Sequence, residues 1–319
     1  VAERLGLPTN PSASVAVLGV KHNFRKFLGE NGFACPRNFT FKVGADIEEL
    51  KEKMQELDFP IVVKPTDSSG SKGVTVLKSA EGLDAAIALA ESYSRNKILI
   101  VEEFIESNFP AVIGGDIFVW DGKVILYGEM ACLRGSEHNG LIPVGEKSPA
   151  GLNSKQIENV HKELQRIITM LGIKFGELNI EILLDKNDNV HFLELGPRAG
   201  GNMIPIELSD IFNVDLVEAN VLAAMGENPK LQPVRQSGFF TTYVLHSYKD
   251  GQFEGISIAN KIRSNVYRRE IYKKTGDIVE SFDGAGKAVG ILFLRFDTEM
   301  ELQYFCSNHE KLVAVELIK

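Results

Sequence analysis

Two short apolar strings in this chain each carry an acid: Asn179-Ile180-Glu181-Ile182-Leu183-Leu184 and His191-Phe192-Leu193-Glu194-Leu195. The polar Asn187-Asp188-Asn189 between them reads as the bend of a β-hairpin. Glu194 follows Glu181 by 13 residues, and in a hairpin the two side chains can share a face. An acid on an apolar strand costs free energy unless it is paired or bound to a metal. Two hard carboxylates suit Mg²⁺, which keeps waters and takes phosphate oxygens. Just past the second strand, Gly196-Pro197-Arg198 bends and offers a planar guanidinium fork for a phosphoryl or carboxylate group. The bland alternative is two solvent-facing acids and a surface arginine, because period-2 alternation does not decide which face is buried.

The remaining segments mix two periodicities. Lys21–Asn31 carries Phe24, Phe27 and Leu28 at helical spacing and stops at Gly32; Ile47, Leu50, Met54 and Leu57 mark a helix capped at Asp46. Ile61–Lys64 reads as a buried strand, Gly73–Lys78 as its hairpin partner, and Leu83–Ala90 as a helix. Ile98–Phe104 is a third strand, and Ala111–Trp120 and Val124–Leu133 pair around Asp121-Gly122. The pattern predicts a long, functional loop over Gly135–Gly151, helices over Ile157–Leu171 and Asp215–Met225, and a strand-rich remainder with a helix near Thr298–Asn308. Antiparallel strands interspersed with helices favour an α+β class over a doubly wound parallel sheet. A length of 319 residues suggests two domains, with a boundary near residue 230.

Hydrophobic residues make up 44% and charged residues 24%, ordinary globular usage. No apolar run approaches the roughly 20 residues that span a bilayer, so no membrane association is expected. A net charge of −8 argues against nonspecific nucleic-acid binding and leaves room for a local basic cleft. Cys35, Cys132 and Cys306 are widely spaced, without CxxC, which fits a reducing compartment, and no signal peptide is expected. The chain opens on Val1, not Met, and reads as an excised or processed piece of a longer protein.

A second constellation is Lys64-Pro65-Thr66-Asp67-Ser68-Ser69-Gly70-Ser71-Lys72-Gly73. A strand delivers Lys64; Gly70 and Gly73 let backbone N–H groups approach an anion, and Ser68, Ser69 and Ser71 add hydroxyl donors. It is no Walker A loop, and a solvated hairpin turn is an equal alternative. A third is Glu102-Glu103-Phe104-Ile105, where a carboxylate, backbone amides and apolar side chains suit a purine, although taken alone a strand end with solvated acids is the stronger reading. The histidines lack metal-ligand spacing; His138, in the long loop, is placed to touch substrate.

Taken in order, residues 15–225 resemble the ATP-grasp superfamily. Lys21-His22-Asn23-Phe24-Arg25, ahead of Gly32-Phe33-Ala34-Cys35-Pro36, is similar to its entry helix. Phe59–Pro65 is similar to the nucleotide-lysine strand, and Val101–Ile105 to the adenine hinge. Glu181, Glu194 and Arg198 fall at two metal-acid positions and a basic position, and Glu194–Gly201 is similar to the string of carboxylate–amine ligases, amino-acid ligases included.

The resemblance implies an ATP-grasp fold with a missing upstream domain before residue 21 and a linker at 1–20. The ATP-grasp domain would span 21–230, with a lid about 58–106, and a β-rich closing domain 231–319. It implies ATP held by Lys21, Lys64, Ser69, Gly70, Ser71, Gly73, Glu102, Glu103, Phe104, Ile105 and Asn108. Mg²⁺, or Mn²⁺, would sit on Glu181 and Glu194, with Arg198 catalytic. Arg198, His138, Gly200 and Gly201 would meet the substrate. The implied reaction activates a small carboxylate as an acyl phosphate and joins it to an amine, in a cytoplasmic enzyme that often dimerises. Two departures stand out. Gly196 replaces an asparagine that many relatives use as a metal ligand, and Ser107-Asn108-Phe109-Pro110 lacks their ribose-binding acid. The alternatives are a carboxylase, a carbamoyl-phosphate-forming enzyme, or an ATP-binding module without catalysis.

Overall fold

In the computed structural model residues 1–107, 109, 111–135 and 142–318 are described. The chain divides into two bodies: residues 12–110 with 182–195, and residues 1–11 with 111–181 and 196–319.

The smaller body comprises α1 (Ser12–Leu18), α2 (Lys21–Glu30), β1 (Asn38–Lys42), α3 (Ile47–Met54), β2 (Ile61–Pro65), β3 (Thr75–Leu77), α4 (Leu83–Tyr93) and β4 (Ile98–Glu103). The strands form an antiparallel sheet ordered β1-β4-β2-β3. Alternation then decides what each face does. Ile61, Val63, Leu99 and Val101 are buried with Leu50 and Met54 of α3 and with Leu83, Ala86 and Ala90 of α4. Asp46 caps α3 by accepting from Glu48 N and Glu49 N. The intervening residues of β2 and β4, among them Lys64 and Glu102, alternate with that apolar set.

The larger body continues with β5 (Ile113–Trp120), β6 (Lys123–Arg134), β7 (Pro143–Ser148), α5 (Ser154–Leu171) and β8 (Phe175–Leu184), which leads out at Glu181; β9 (Val190–Gly196) leads back. Then come α6 (Ile204–Phe212), α7 (Leu216–Ala224), β10 (Phe239–Leu245), β11 (Gly251–Ile258), α8 (Asn260–Arg263), β12 (Val266–Ile271), β13 (Ile278–Val279), β14 (Gly290–Phe296), α9 (Glu299–Cys306), α10 (His309–Leu312) and β15 (Val313–Leu317). Its main sheet runs β12-β14-β10-β7-β6-β5-β8, and β13-β11-β15 form a second. Strands from beyond residue 230 thus pair into the same sheet as β5–β7. Asn153 starts α5 with a reciprocal capping box and Gly172 ends it in the left-handed region. The mixed α+β class expected from the sequence holds.

One expectation fails. The stretch 135–151 is not all loop, because β7 pairs with β6 on one side and β10 on the other. Its Pro-Val-Gly-Glu-Lys-Ser string has no strand periodicity. Gly145 is there for close approach: a Cβ would lie 2.1 Å from Thr242 O. Gly145→Ala should therefore lower stability by about 1–3 kcal/mol in urea unfolding, as overpacking does. Gly29→Ala, in α2 with nothing within 4 Å of the added methyl, should leave stability equal or up to about 1 kcal/mol higher.

Candidate functional site

Lys21 and Arg25 are one helical turn apart on α2 and share a face. Arg25 is only 1% exposed. Its Nε donates to Glu102 Oε2 at 2.9 Å, and its Nη groups donate to the carbonyls of Phe192 (3.0 Å) and Leu193 (3.2 Å) on β9. In the β2–β4 register Val62 faces Glu102 and Lys64 faces Ile100, so Lys64 and Glu102 are diagonal neighbours on one face. Lys64 Nζ donates to Glu102 Oε1. One buried carboxylate thus lies between a guanidinium and an ammonium, both buried as well. Burial raises the Glu102 carboxyl, but Arg25 and Lys64 outweigh it and hold it at about 2. For Lys64 burial wins and lowers the ammonium to about 8, against the pull of Glu102.

Lys21 joins this centre to the loop after β2. Its Nζ donates to Ser68 O at 2.6 Å and to Glu194 Oε2 at 3.0 Å, and its backbone N to Thr66 O at 2.9 Å. The loop base is anchored: Asp67 accepts from Arg95 N and Asn96 N, and Ser68 Oγ donates to Lys72 O at 2.8 Å. Ser69 and Gly70 are exposed at the tip, Ser71 is half-buried, and Gly73 is buried at the return. Beyond β4, Glu103 turns to Arg37 at 2.5 Å and accepts from Asp58 N at 2.8 Å. Phe104 is 40% exposed and Ile105 is half-buried.

The larger body holds a different kind of centre. Glu177, Asn179 and Glu181 alternate along β8 and share a face. Asp116 of β5 is fully buried and accepts from Asn179 Nδ2 at 2.9 Å and Gly200 N at 2.7 Å. Glu177 meets the Asp116 carboxylate side by side and accepts from Asn220 Nδ2 at 2.5 Å. Burial, reinforced by the charge of Asp116, pushes the Glu177 carboxyl well above the usual carboxylate range, which favours its protonated form beside Asp116. Glu146 of β7 is buried with Cys132 Sγ donating to it at 3.2 Å. Burial raises it to about 8, with Glu181 adding to the rise. Arg198 is exposed on the turn after β9, its N donating to Gly196 O at 2.7 Å and its Nη1 to Ala199 O at 2.7 Å.

Of the residues singled out from sequence, Lys21, Lys64, Glu102 and Glu194 cluster in the smaller body around Arg25. Glu103 goes to Arg37 instead. Glu181, Arg198, Gly200 and Gly201 belong to the larger body. Asn108 and His138 lie outside the described residues. Sequence reasoning missed the roles of Arg25, Asp116, Glu146 and Glu177. Two signals were available: Arg25 follows Lys21 by four positions on a helix, and Asp116 interrupts the otherwise apolar Ile113–Trp120. Among the described residues no group of three or more His, Cys, Asp or Glu is arranged to hold a metal ion, and no helix is long and apolar enough to cross a membrane.

The fold, with a strand-borne buried lysine and a following Gly/Ser loop, defines an ATP-grasp protein. The family described as "Carbamoyl-phosphate synthase L chain, ATP binding domain" matches residues 21–230, and the chain belongs to it. The chain is 24% identical to the carbamoyl phosphate synthase large chain of Micrococcus luteus over 244 residues, 74% of this chain and 21% of that one. It is 23% identical to the formate-dependent phosphoribosylglycinamide formyltransferase of Prochlorococcus marinus over 278 residues, 82% of this chain and 65% of that one. It thus spans about a fifth of the carbamoyl phosphate synthase large chains it matches. Its fold is shared with the L-amino acid ligase of Bacillus licheniformis (TM-score 0.79, 19% identity, 100% of this chain and 77% of that one). It is also shared with the phosphoribosylglycinamide synthetase of Anaerococcus prevotii (TM-score 0.73, 20% identity, 99% and 78%).

Glu102 ionises at about 2 in the folded chain, against about 4.3 unfolded. Its contribution to stability is therefore complete above about pH 4.3 and is lost as pH falls toward 2. Glu102→Gln leaves two buried cations without their counter-charge and should cost about 3–5 kcal/mol at neutral pH; urea unfolding against pH should also show a shallower acid limb. Glu146 has the opposite sign. The folded state holds its proton up to about pH 8, so stability falls as pH rises from about 4.3 to 8. Glu146→Gln should flatten that decline in the same titration.

Proposed function

We propose that this chain is an ATP- and Mg²⁺-dependent ligase that activates a small carboxylate as an acyl phosphate and joins it to an amine. The observation that carries this reading is the arrangement around α2. There Lys64 emerges from a strand ahead of the Gly/Ser loop, and Lys21 bridges that loop to the acid Glu194. Phosphoryl transfer calls for positioning and charge neutralisation rather than covalent help, and Lys21, Lys64 and Arg198 supply fixed positive charge. Lys64 and Lys21 would face the triphosphate, with Ser69, Gly70, Ser71 and Gly73 as loop donors. Glu102 would act behind Lys64, and Phe104, Ile105 and Asn108 would hold the nucleoside. The Ser69–Gly73 loop would close over the acyl phosphate and exclude water.

The metal suits the donor chemistry. Glu194 is a carboxylate with its side chain 24% exposed, and Glu181 is the matching acid of the larger body. These are hard oxygen donors of the kind Mg²⁺ takes while keeping waters and phosphate oxygens. Glu194 and Glu181 would hold the ion, which would supply neutralising charge for the triphosphate. In the reaction the substrate carboxylate oxygen attacks the γ-phosphorus and ADP leaves. The amine nitrogen then attacks the acyl carbon, phosphate leaves, and the amine gives up a proton. Arg198, Gly200, Gly201 and His138 would hold the substrates. The shared fold with an L-amino acid ligase over the whole chain supports an amino acid as the carboxylate. The division into 1–20, 21–230 with a lid at 58–106, and 231–319 belongs to this proposal, as do a cytoplasmic location and a homodimer.

A second reading rests on the family match and on the biotin carboxylase domain from Hydrogenobacter thermophilus, crystallised with MgADP and bicarbonate. There bicarbonate would be the acid that is phosphorylated. A thermal-shift screen of the chain with Mg-ATP and single amino acids or other carboxylates should raise Tm for the true acid, and ADP release should then require that acid. ADP release that requires bicarbonate instead would replace the first reading with the second. Glu194→Ala should abolish Mg²⁺-dependent ADP release with an unchanged circular-dichroism spectrum; undiminished release would reject its metal role.

A further inference from the structure

The turn after β9 carries an exposed arginine, yet its backbone is held on both sides. Arg198 N closes on Gly196 O at 2.7 Å, Asn179 N donates to Arg198 O at 2.9 Å, and Gly200 N donates to Asp116 Oδ2 at 2.7 Å. Asn179 serves both ends, because its Nδ2 also donates to Asp116 Oδ1 at 2.9 Å. Gly200 has no room for a side chain. A Cβ there would lie 2.7 and 2.9 Å from the two Asp116 oxygens and 2.9 Å from Ile204 Cδ1. Behind Asp116 stands Glu177, itself bonded to Asn220 of α7. The Asp116 carboxylate is thus wedged between β8 and the turn and backed from α7. A fully buried acid is costly to keep, and an apolar residue of similar size would pack at lower cost, so its place beneath this turn calls for a role.

We propose that Asp116 is a positioning residue: through Gly200 N and Asn179 it fixes the Arg198–Gly200 turn, and so the direction in which Arg198 presents its guanidinium to phosphoryl oxygens. This rests on Arg198 binding an anionic group, as proposed above. The acid does not touch the ligand. It sets the backbone from which Arg198 reaches, and a misdirected guanidinium loses the directional bonds that distinguish it from a mobile charge.

The test uses the full chain and the Mg²⁺ complex of the non-hydrolysable imido analogue of ATP. Its affinity is measured by calorimetry for the wild type, Asp116→Ala, Arg198→Ala and the double variant, alongside hydrogen exchange of the Gly200 amide without nucleotide. Asp116→Ala should speed Gly200 exchange at least tenfold and weaken nucleotide binding by about the same factor as Arg198→Ala. The double variant should bind no more weakly than Arg198→Ala alone, because coupled residues are non-additive. Asp116→Asn keeps an oxygen for one of the two donors, Gly200 N or Asn179 Nδ2, and turns an NH2 to the other, so its Gly200 exchange and its affinity should fall between those of the wild type and Asp116→Ala. Unchanged Gly200 exchange in Asp116→Ala, or losses that multiply in the double variant, would overturn the proposal. Should Asp116→Ala not fold, Gly200→Ala, which presses on the same carboxylate from the other side, takes its place in the cycle with the same expectations. Arg198→Ala binding the analogue as tightly as the wild type would reject the anion-binding role of Arg198 itself. That result is separable, since Gly200 exchange reports on the turn with no nucleotide present.

Discussion

Glu102 is the carboxylate on which the smaller body depends. Taking an ion out of water costs several kcal/mol even after relaxation, and here three charged groups are taken out together. They are tolerated because each arrives by a different structural rule. Helical spacing aims Arg25, strand alternation aims Lys64 and Glu102, and the second fork of Arg25 finds the carbonyls of Phe192 and Leu193. The same guanidinium that neutralises Glu102 therefore also holds β9, the strand that bears Glu194. Lys21, on the same helix face, then meets that acid. One helix thus organises the buried Lys64–Glu102 pair, the base of the loop after β2 and Glu194.

The larger body solves the problem of buried acids the other way. Glu146 and Glu177 have no cation bonded to them among the described residues and are pushed up to about 8 and 9. They are buried as neutral acids and bonded to Cys132 and Asn220. A neutral carboxyl costs far less to bury than a charged one. The two bodies thus contain acids of identical chemistry held in opposite protonation states by what surrounds them.

Much of the fold was legible because its elements are strongly periodic. The α5 stripe, the Asp121-Gly122 hairpin, the β2–β3 pairing and the Asp46 cap all follow from local pattern. β7 was not legible, because its alternation is broken by Gly145 and by the buried Glu146, and both make sense only once β6 and β10 lie on either side. The candidate site divides in the same way. Lys64 and Glu194 announce themselves as polar residues on apolar strings. Asp116 offered the same signal in Ile113–Trp120, but its partner Gly200 lies 84 positions away, beyond any local window.

What the sequence determined alone was the strongly periodic elements and the kinds of side chain they carry. Helical and strand periods, caps and turns act over a few residues, and the motif order brought the family with them. Only the tertiary structure decided which of these side chains are charged, which are paired and which stand behind another. Desolvation and Coulomb energy depend on three-dimensional neighbours: Glu102 is held ionised because Arg25 and Lys64 surround it, and Glu177 is pushed toward its neutral form by burial, with the charge of Asp116 adding to it. Neither fact is written in the residues flanking either acid.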